Sequence, residues 1–196
     1  MSQEQGISID KTVDALVQAM VVWDDDNYRH CIRTAEYASA IAAAMGLRGK
    51  DAEYVRIGAL LHDIGKIGVD LAVLRKSGRL NEEEREHVHL HPAAGASILE
   101  RVLPAPVVEC AAAHHEQPDG QGYPEGLIEA QIPLGALICR VADVLDSLTS
   151  DQRYRPAMSL AEALAELRDG AGTRYSEPVV EVLLGLIEGC QIQIAA

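Results

Sequence analysis

Phenylalanine is absent from these 196 residues and tryptophan occurs once, so only 4% of the side chains are aromatic although 48% are apolar. A core of this composition is filled by Ala, Leu, Ile and Val, which suits closely packed helices better than a β-sandwich. Long apolar runs are also missing: none reaches the roughly 18 residues needed to span a bilayer. No basic leader precedes an apolar segment at the start, so no secretory signal is expected and the chain reads as soluble and cytoplasmic. Basic residues are scarce. Only 17 Lys and Arg stand against 30 Asp and Glu, and the formal charge of −13 argues against DNA as a partner. A small anionic substrate is not excluded, because bound metal ions invert the local field. The four cysteines, Cys31, Cys110, Cys139 and Cys190, form no C-x-x-C pair, and each falls in a segment with a helical pattern. Buried free thiols in a reducing compartment are expected.

Helical signals recur throughout. Asp10 is placed to cap a first helix running through Met20. A second is expected over Asn27–Met45, with an apolar stripe of Ile32, Ala35, Tyr37, Ala38, Ile41 and Ala42 ended by Gly46. Lys50–Ile64 follows, and its late turns are apolar almost all round, as in a central helix. Asn81 with Glu84, and Ser159 with Glu162, are capping boxes. Pro92, Pro106 and Pro133 open further helices, and a last one spans Pro178–Ile194. Two irregular stretches remain, Gly65–Arg79 and Gln117–Ile132, and long ordered loops tend to carry function. The expected fold is all-α, a single helical bundle of about seven helices. It divides into an N-terminal helix over 1–20 and the main domain over 21–196.

The chemistry concentrates in histidines that sit beside carboxylates at the ends of apolar helices. His62-Asp63 closes the most apolar helix, and Lys66 lies close enough to face the same pocket and meet a phosphate. Taken alone, the dipeptide reads more readily as a helix C-terminus with a favourable His. His114-His115 ends another apolar helix and enters the glycine-rich loop. Two adjacent buried imidazoles would repel if both were protonated, and binding a metal as neutral rings resolves the conflict. Asp143 lies within apolar surroundings and requires either Arg140 or a metal as its partner. His87 and His89, flanked by Glu82–Glu86, read as solvated. Arg75-Lys76 reads as a surface turn, and Asp146 as a helix-surface residue or a support behind the ligands.

In order, these residues resemble the HD-GYP family of HD-superfamily phosphodiesterases. The resemblance runs through His62-Asp63-x-Gly65-Lys66, His91-Pro92-x-x-Gly95 and His114-His115-Glu116-x-x-Asp119-Gly120-x-Gly122-Tyr123-Pro124. It continues through Ala142-Asp143-Val144 and Leu148-Thr149-Ser150-Asp151, and covers about His30 to Pro178. The resemblance implies an HD-type domain that hydrolyses cyclic di-GMP to linear pGpG, GMP or both. It implies that His30, His62, Asp63 and Asp143 hold one divalent metal, with Asp63 bridging to a second held by His91, His114 and His115. Asp63 and Lys66 would be catalytic. Lys66, Asp119, Gly122, Tyr123, Gln152, Arg153 and Arg155 would contact substrate.

Mixed His and carboxylate ligands suit Fe or Mn, with Ni, Co or Zn as alternatives. A third ion would use Asp26, at the position where three-metal relatives carry Glu; the preferred reading makes Asp26 the cap of the helix starting at Asn27. Partners implied by the resemblance are a homodimer, a diguanylate-cyclase-type protein, and a receiver or sensory domain, fused or separate. The chain departs from the family pattern where Gln152 replaces an arginine and Pro118 stands at a common aromatic position. Two alternatives therefore stay open: a weakly active cyclic-dinucleotide sensor or interaction module, and a phosphohydrolase acting on another nucleotide.

Overall fold

Ser8, not Asp10, starts the first helix: its side chain accepts from the Lys11 amide, and Asp10 sits in the first turn, where its charge complements the helix dipole. The structure is a computed structural model and describes residues 8–76, 78–151, 156–192 and 194. Helix α1 (Ile9–Trp23) is followed after a single residue by α2 (Asp25–Ala44). That residue, Asp24, caps α2 by accepting from the Asp26 amide at 3.2 Å, so the cap expected of Asp26 belongs to Asp24. The expected boundary after residue 20 falls inside α1, whose Val13 and Met20 are buried in one apolar cluster with Leu61 and Ile64.

Helix α3 (Gly49–Leu61) stops three residues before the expected end, and the chain tightens into a 3-10 turn over Ile64–Gly68. Gly65 shows why this turn needs glycine. A Cβ there would lie 2.0 Å from the His91 carbonyl oxygen and 2.4 Å from the Gly95 amide nitrogen. Backbone therefore packs on backbone, and neither side can give way. Gly65→Ala should cost about 1–3 kcal/mol or more and lower Tm by several degrees. Gly68→Ala, which meets nothing within 4 Å, is the control in thermal unfolding, and equal melting of the two variants would refute the packing argument.

The remaining helices are α4 (Leu71–Leu74), α5 (Glu82–His89), α6 (His91–Leu99), α7 (Ala105–Ala113), α8 (Leu134–Thr149), α9 (Leu160–Asp169) and α10 (Glu177–Glu188). Both capping boxes form, and Pro92 and Pro106 lie in the first turns of α6 and α7 as expected. The last helix ends earlier than Ile194, because the chain turns at Gly189 and Cys190 takes a left-handed φ of 52°. Cys190 is consequently exposed and outside any helix, whereas Cys31, Cys110 and Cys139 are buried thiols. The described residues contain no strand, only isolated bridges such as Asp119 with Ile128.

Helices α3 and α8 are central. The larger apolar cluster gathers α2, α3, α7, α8, α9 and α10 around side chains such as Ile41, Ile138, Leu145 and Leu183. Each fully buried Leu or Ile contributes about 1.5–3 kcal/mol before entropy is counted. A second cluster joins α1, α3, α6 and α7. Among the described residues no helix is long and apolar enough to cross a membrane.

Candidate metal centre

Each expected ligand stands at a helix end or on a helix facing the same point. His30 comes from the second turn of α2, His62-Asp63 from the end of α3, and His91 from the first residue of α6. His114-His115 follow α7, and Asp143 lies within α8. Ligand atoms of His91, His114 and His115 lie within 4.8 Å of one another, as do those of His30, His62 and Asp63. Asp63 stands between the two groups. Its Oδ2 is 3.4 Å from His62 Nε2 and 3.9 Å from His30 Nε2, while Oδ1 is 3.3 Å from His91 Nε2 and 4.0 Å from His114 Nε2. Asp143 joins the first group, with Oδ1 3.1 Å from His30 Nε2.

The backbone sets the tautomers. The Nδ1 atoms of His62, His91 and His114 each lie 2.7–2.8 Å from the carbonyl oxygen three residues earlier, at Ala59, Val88 and Ala111. A carbonyl only accepts, so each Nδ1 carries a proton, and each ring directs its Nε2 inward, where in the neutral form it offers a lone pair. His91 Nε2 and His114 Nε2 then face each other at 3.2 Å, with a shared cation as their natural partner. His30 is oriented by a carboxylate instead: its Nδ1 lies 2.7 Å from Asp146 Oδ2. Arg33 fixes that carboxylate with two bonds, at 2.5 and 2.9 Å. Asp146 is thus a buried support rather than a surface group, only 1% exposed.

Charge follows the same division. Burial opposes the charged forms throughout. Even so, the hydrogen bonds of Asp143 and Asp146 hold the His30 ring's pKa up at about 9. His62 is likewise held well above its ordinary value despite burial, by the Asp63 carboxylate. Lys66 and His62 in turn keep Asp63 well below the carboxylate range. His114 is pushed well below the ordinary histidine value by burial and by the rings around it. Burial does the same to His115. One end of the centre is a reservoir of carboxylate charge, and at the other His114 and His115 favour the neutral form, a combination that matches a divalent transition metal. Lys66 Nζ meets Asp63 Oδ2 at 2.5 Å. Arg140 is not the partner of Asp143; its guanidinium contacts His115 Nδ1 at 3.3 Å and lies over the Tyr175 ring.

A cavity of about 630 Å³ opens onto His30, Asp63, Lys66, His115 and Asp143. Asp26 also lines it, although it does not cap α2. The glycine-rich loop closes the other side of the centre. Glu116, 1% exposed, accepts from the Glu125 amide at 2.7 Å and the Leu127 amide at 2.9 Å. Gly120 has a φ of +76°, whereas Gly122 is required by closeness: a Cβ there would lie 2.3 Å from the Gln117 nitrogen. Tyr123 stacks on the His115 ring at 4.7 Å. Asp119 is exposed; its carboxylate accepts from the Gln121 amide, and its own amide donates to the Thr173 carbonyl. Of the residues expected to contact substrate, Gln152, Arg153 and Arg155 lie outside the described residues.

Three residues were missed or misjudged from sequence. Arg33 carried no signal, because its partner Asp146 is 113 residues away. Glu116 stood inside the quoted motif without a role; a lone acid entering a turn-rich loop is a weak cue. His87 is exposed as expected, but His89 is half-buried against Tyr123. Lys76 behaves as a surface residue and pairs with Glu84 at 2.6 Å.

Residues 15–179 match the HD domain family. A cyclic di-GMP phosphodiesterase from Thermotoga maritima is 39% identical over 167 residues, covering 83% of this chain and 45% of that protein. A 3'3'-cGAMP-specific phosphodiesterase from Vibrio cholerae is 39% identical over 145 residues, covering 74% of this chain and 32% of that protein. The chain thus spans less than half the length of these two curated relatives. Among solved structures, an HDG"Y"P protein from Bdellovibrio bacteriovorus superposes with a TM-score of 0.68 at 22% identity, covering 92% of this chain and 61% of that one.

Proposed function

The chain belongs to the HD domain family, in its HD-GYP branch, and on that premise we propose that it hydrolyses the phosphodiester bonds of cyclic di-GMP, giving linear pGpG, GMP or both. The observation that carries this reading is the division of the Asp63 carboxylate, one oxygen toward His30 and His62 and the other toward His91 and His114. His30, His62, Asp63 and Asp143 would hold one ion, and Asp63 with His91, His114 and His115 a second. Bound there, divalent ions lower the pKa of the attacking water and neutralise charge growing on the phosphoryl oxygens.

The chain's own residues do the rest. Three backbone carbonyls keep the Nε2 donors of His62, His91 and His114 aimed inward, so no reorganisation is needed on loading. Lys66, at the cavity wall beside Asp63, offers a compact positive charge to a non-bridging phosphate oxygen. A third ion, if bound, would draw on Asp26, which lines the same cavity. We favour Fe or Mn as the native metal, with Ni, Co or Zn as substitutes, and the cytoplasm as the compartment. A homodimer, a diguanylate-cyclase-type partner and a receiver or sensory input complete the proposal.

The test joins elemental analysis of anaerobically purified protein to chromatography of products from cyclic di-GMP, 3'3'-cGAMP and nucleoside triphosphates. Prolonged chelation should abolish cyclic di-GMP cleavage, and Mn or Fe should restore it. Metal-loaded protein that binds cyclic di-GMP without cleaving it would sink the hydrolase reading, and preferential attack on triphosphates would redirect it.

A further inference from the structure

Helix α5 has no buried residue, and its first turn is three consecutive glutamates, so burial of apolar side chains does not explain why it is held against the bundle. Its last residue supplies the explanation. The His89 ring stacks on Tyr123 with centroids 4.0 Å apart and planes at 14°. Tyr123 stacks in turn on His115, at 4.7 Å and 25°. Two near-parallel rings this close to one centroid cannot share a face without overlapping, so His89 and His115 cover opposite faces of the tyrosine. The third ring of this stack belongs to the His91, His114 and His115 group, and His115 also meets His91 edge-on at 5.0 Å.

We propose that His89 is a positioning residue for the metal centre, acting through Tyr123 on His115. His62, His91 and His114 have their rings oriented by a backbone carbonyl, and His30 by a carboxylate. His115 instead has its Nδ1 3.3 Å from Arg140 Nη1, a longer contact than the 2.7–2.8 Å bonds that orient the other four rings. Stacking supplies a further restraint. Tyr123 is carried by a loop that Glu116 pins and that Gly122 brings against the backbone of Glu116, and the face of its ring away from His115 is covered by His89. With both faces covered, Tyr123 serves as a wedge between α5 and His115 and gives no free plane for a nucleobase. The inference rests on the metal-centre reading and extends it to a residue that the sequence marked as solvated.

The experiment uses Co(II) as a spectroscopic probe and the near-UV circular dichroism of the metal-free protein. His89→Ala should weaken Co(II) binding about ten-fold, the scale on which supports behind ligands act, and should change the tyrosine dichroism before any metal is added. His89→Phe, which keeps a flat ring, should restore both within about two-fold; His89→Leu, with bulk but no plane, should not. Unchanged affinity and dichroism in His89→Ala would overturn the proposal, as would equal rescue by Leu. Wild-type protein that binds no Co(II) would count against the metal centre itself. In that case the dichroism series still decides whether His89 orders Tyr123.

Discussion

Asp63→Ala should yield protein that retains neither metal group intact, and the proposed cyclic di-GMP hydrolysis should fall by about 10³-fold or more, on the order of the largest single-residue electrostatic effects. The carboxylate is 2% exposed and lies 3.3–4.0 Å from ring nitrogens of both metal groups. Its loss also strips Lys66 and His62 of their anion. Breaking a buried pair this way costs about 3–5 kcal/mol, less here because Lys66 can turn toward the cavity and water. Asp63→Asn separates the effects, since it keeps the volume and removes the charge. Elemental analysis should find both variants depleted of metal, with Asp63→Asn the better folded by thermal unfolding. Full metal content and full turnover in either variant would refute the assigned centre.

Glu116→Ala should be the most damaging change outside the ligand groups. The buried carboxylate holds two loop amides across nine and eleven residues, and without it those donors are left to partial hydration. Hydrogen bonds to a charged acceptor contribute about 1.5–3 kcal/mol each. The variant should therefore lose about 2–4 kcal/mol, and its Tm should fall by roughly 5–15 °C. Tyr123 lies between the two ends of this bracket and would lose its register against His115, so activity should drop on the order of 100-fold in folded protein. Glu116→Gln, which can still accept through one oxygen, should fall between. Wild-type melting and wild-type turnover in the alanine variant would show that the loop is held by something else.

The candidate ligand residues were legible as an ordered set that repeats a family pattern, since the His62-Asp63 pair alone says little. Their sharing of Asp63 was not legible, since it depends on how α3, α6 and α7 end around one point. Capping boxes at Asn81 and Ser159 read correctly because both partners lie within four residues. The end of α3 read wrongly because apolar periodicity continues through Ile64, and only the contact of Gly65 with α6 forces the chain into a tighter turn. Asp119 read as part of a substrate wall, yet its carboxylate is engaged in holding a turn of its own loop.

By itself, the sequence determined an all-helical bundle, from its lack of large aromatics and its helical periodicity, and a histidine-aspartate chemistry suited to divalent metals. It also determined which loop would matter, because glycine and proline spacing records backbone shape locally. Only the tertiary structure decided how each ligand is supported. The carboxylate that orients His30 comes from Asp146, 116 residues away, and the ring that braces His115 through Tyr123 comes from a helix that looks solvated on its own. Such pairings depend on packing between distant segments, which has no period or spacing to record it. Composition and local pattern select the elements and the donors; convergence of helix ends selects which donor meets which.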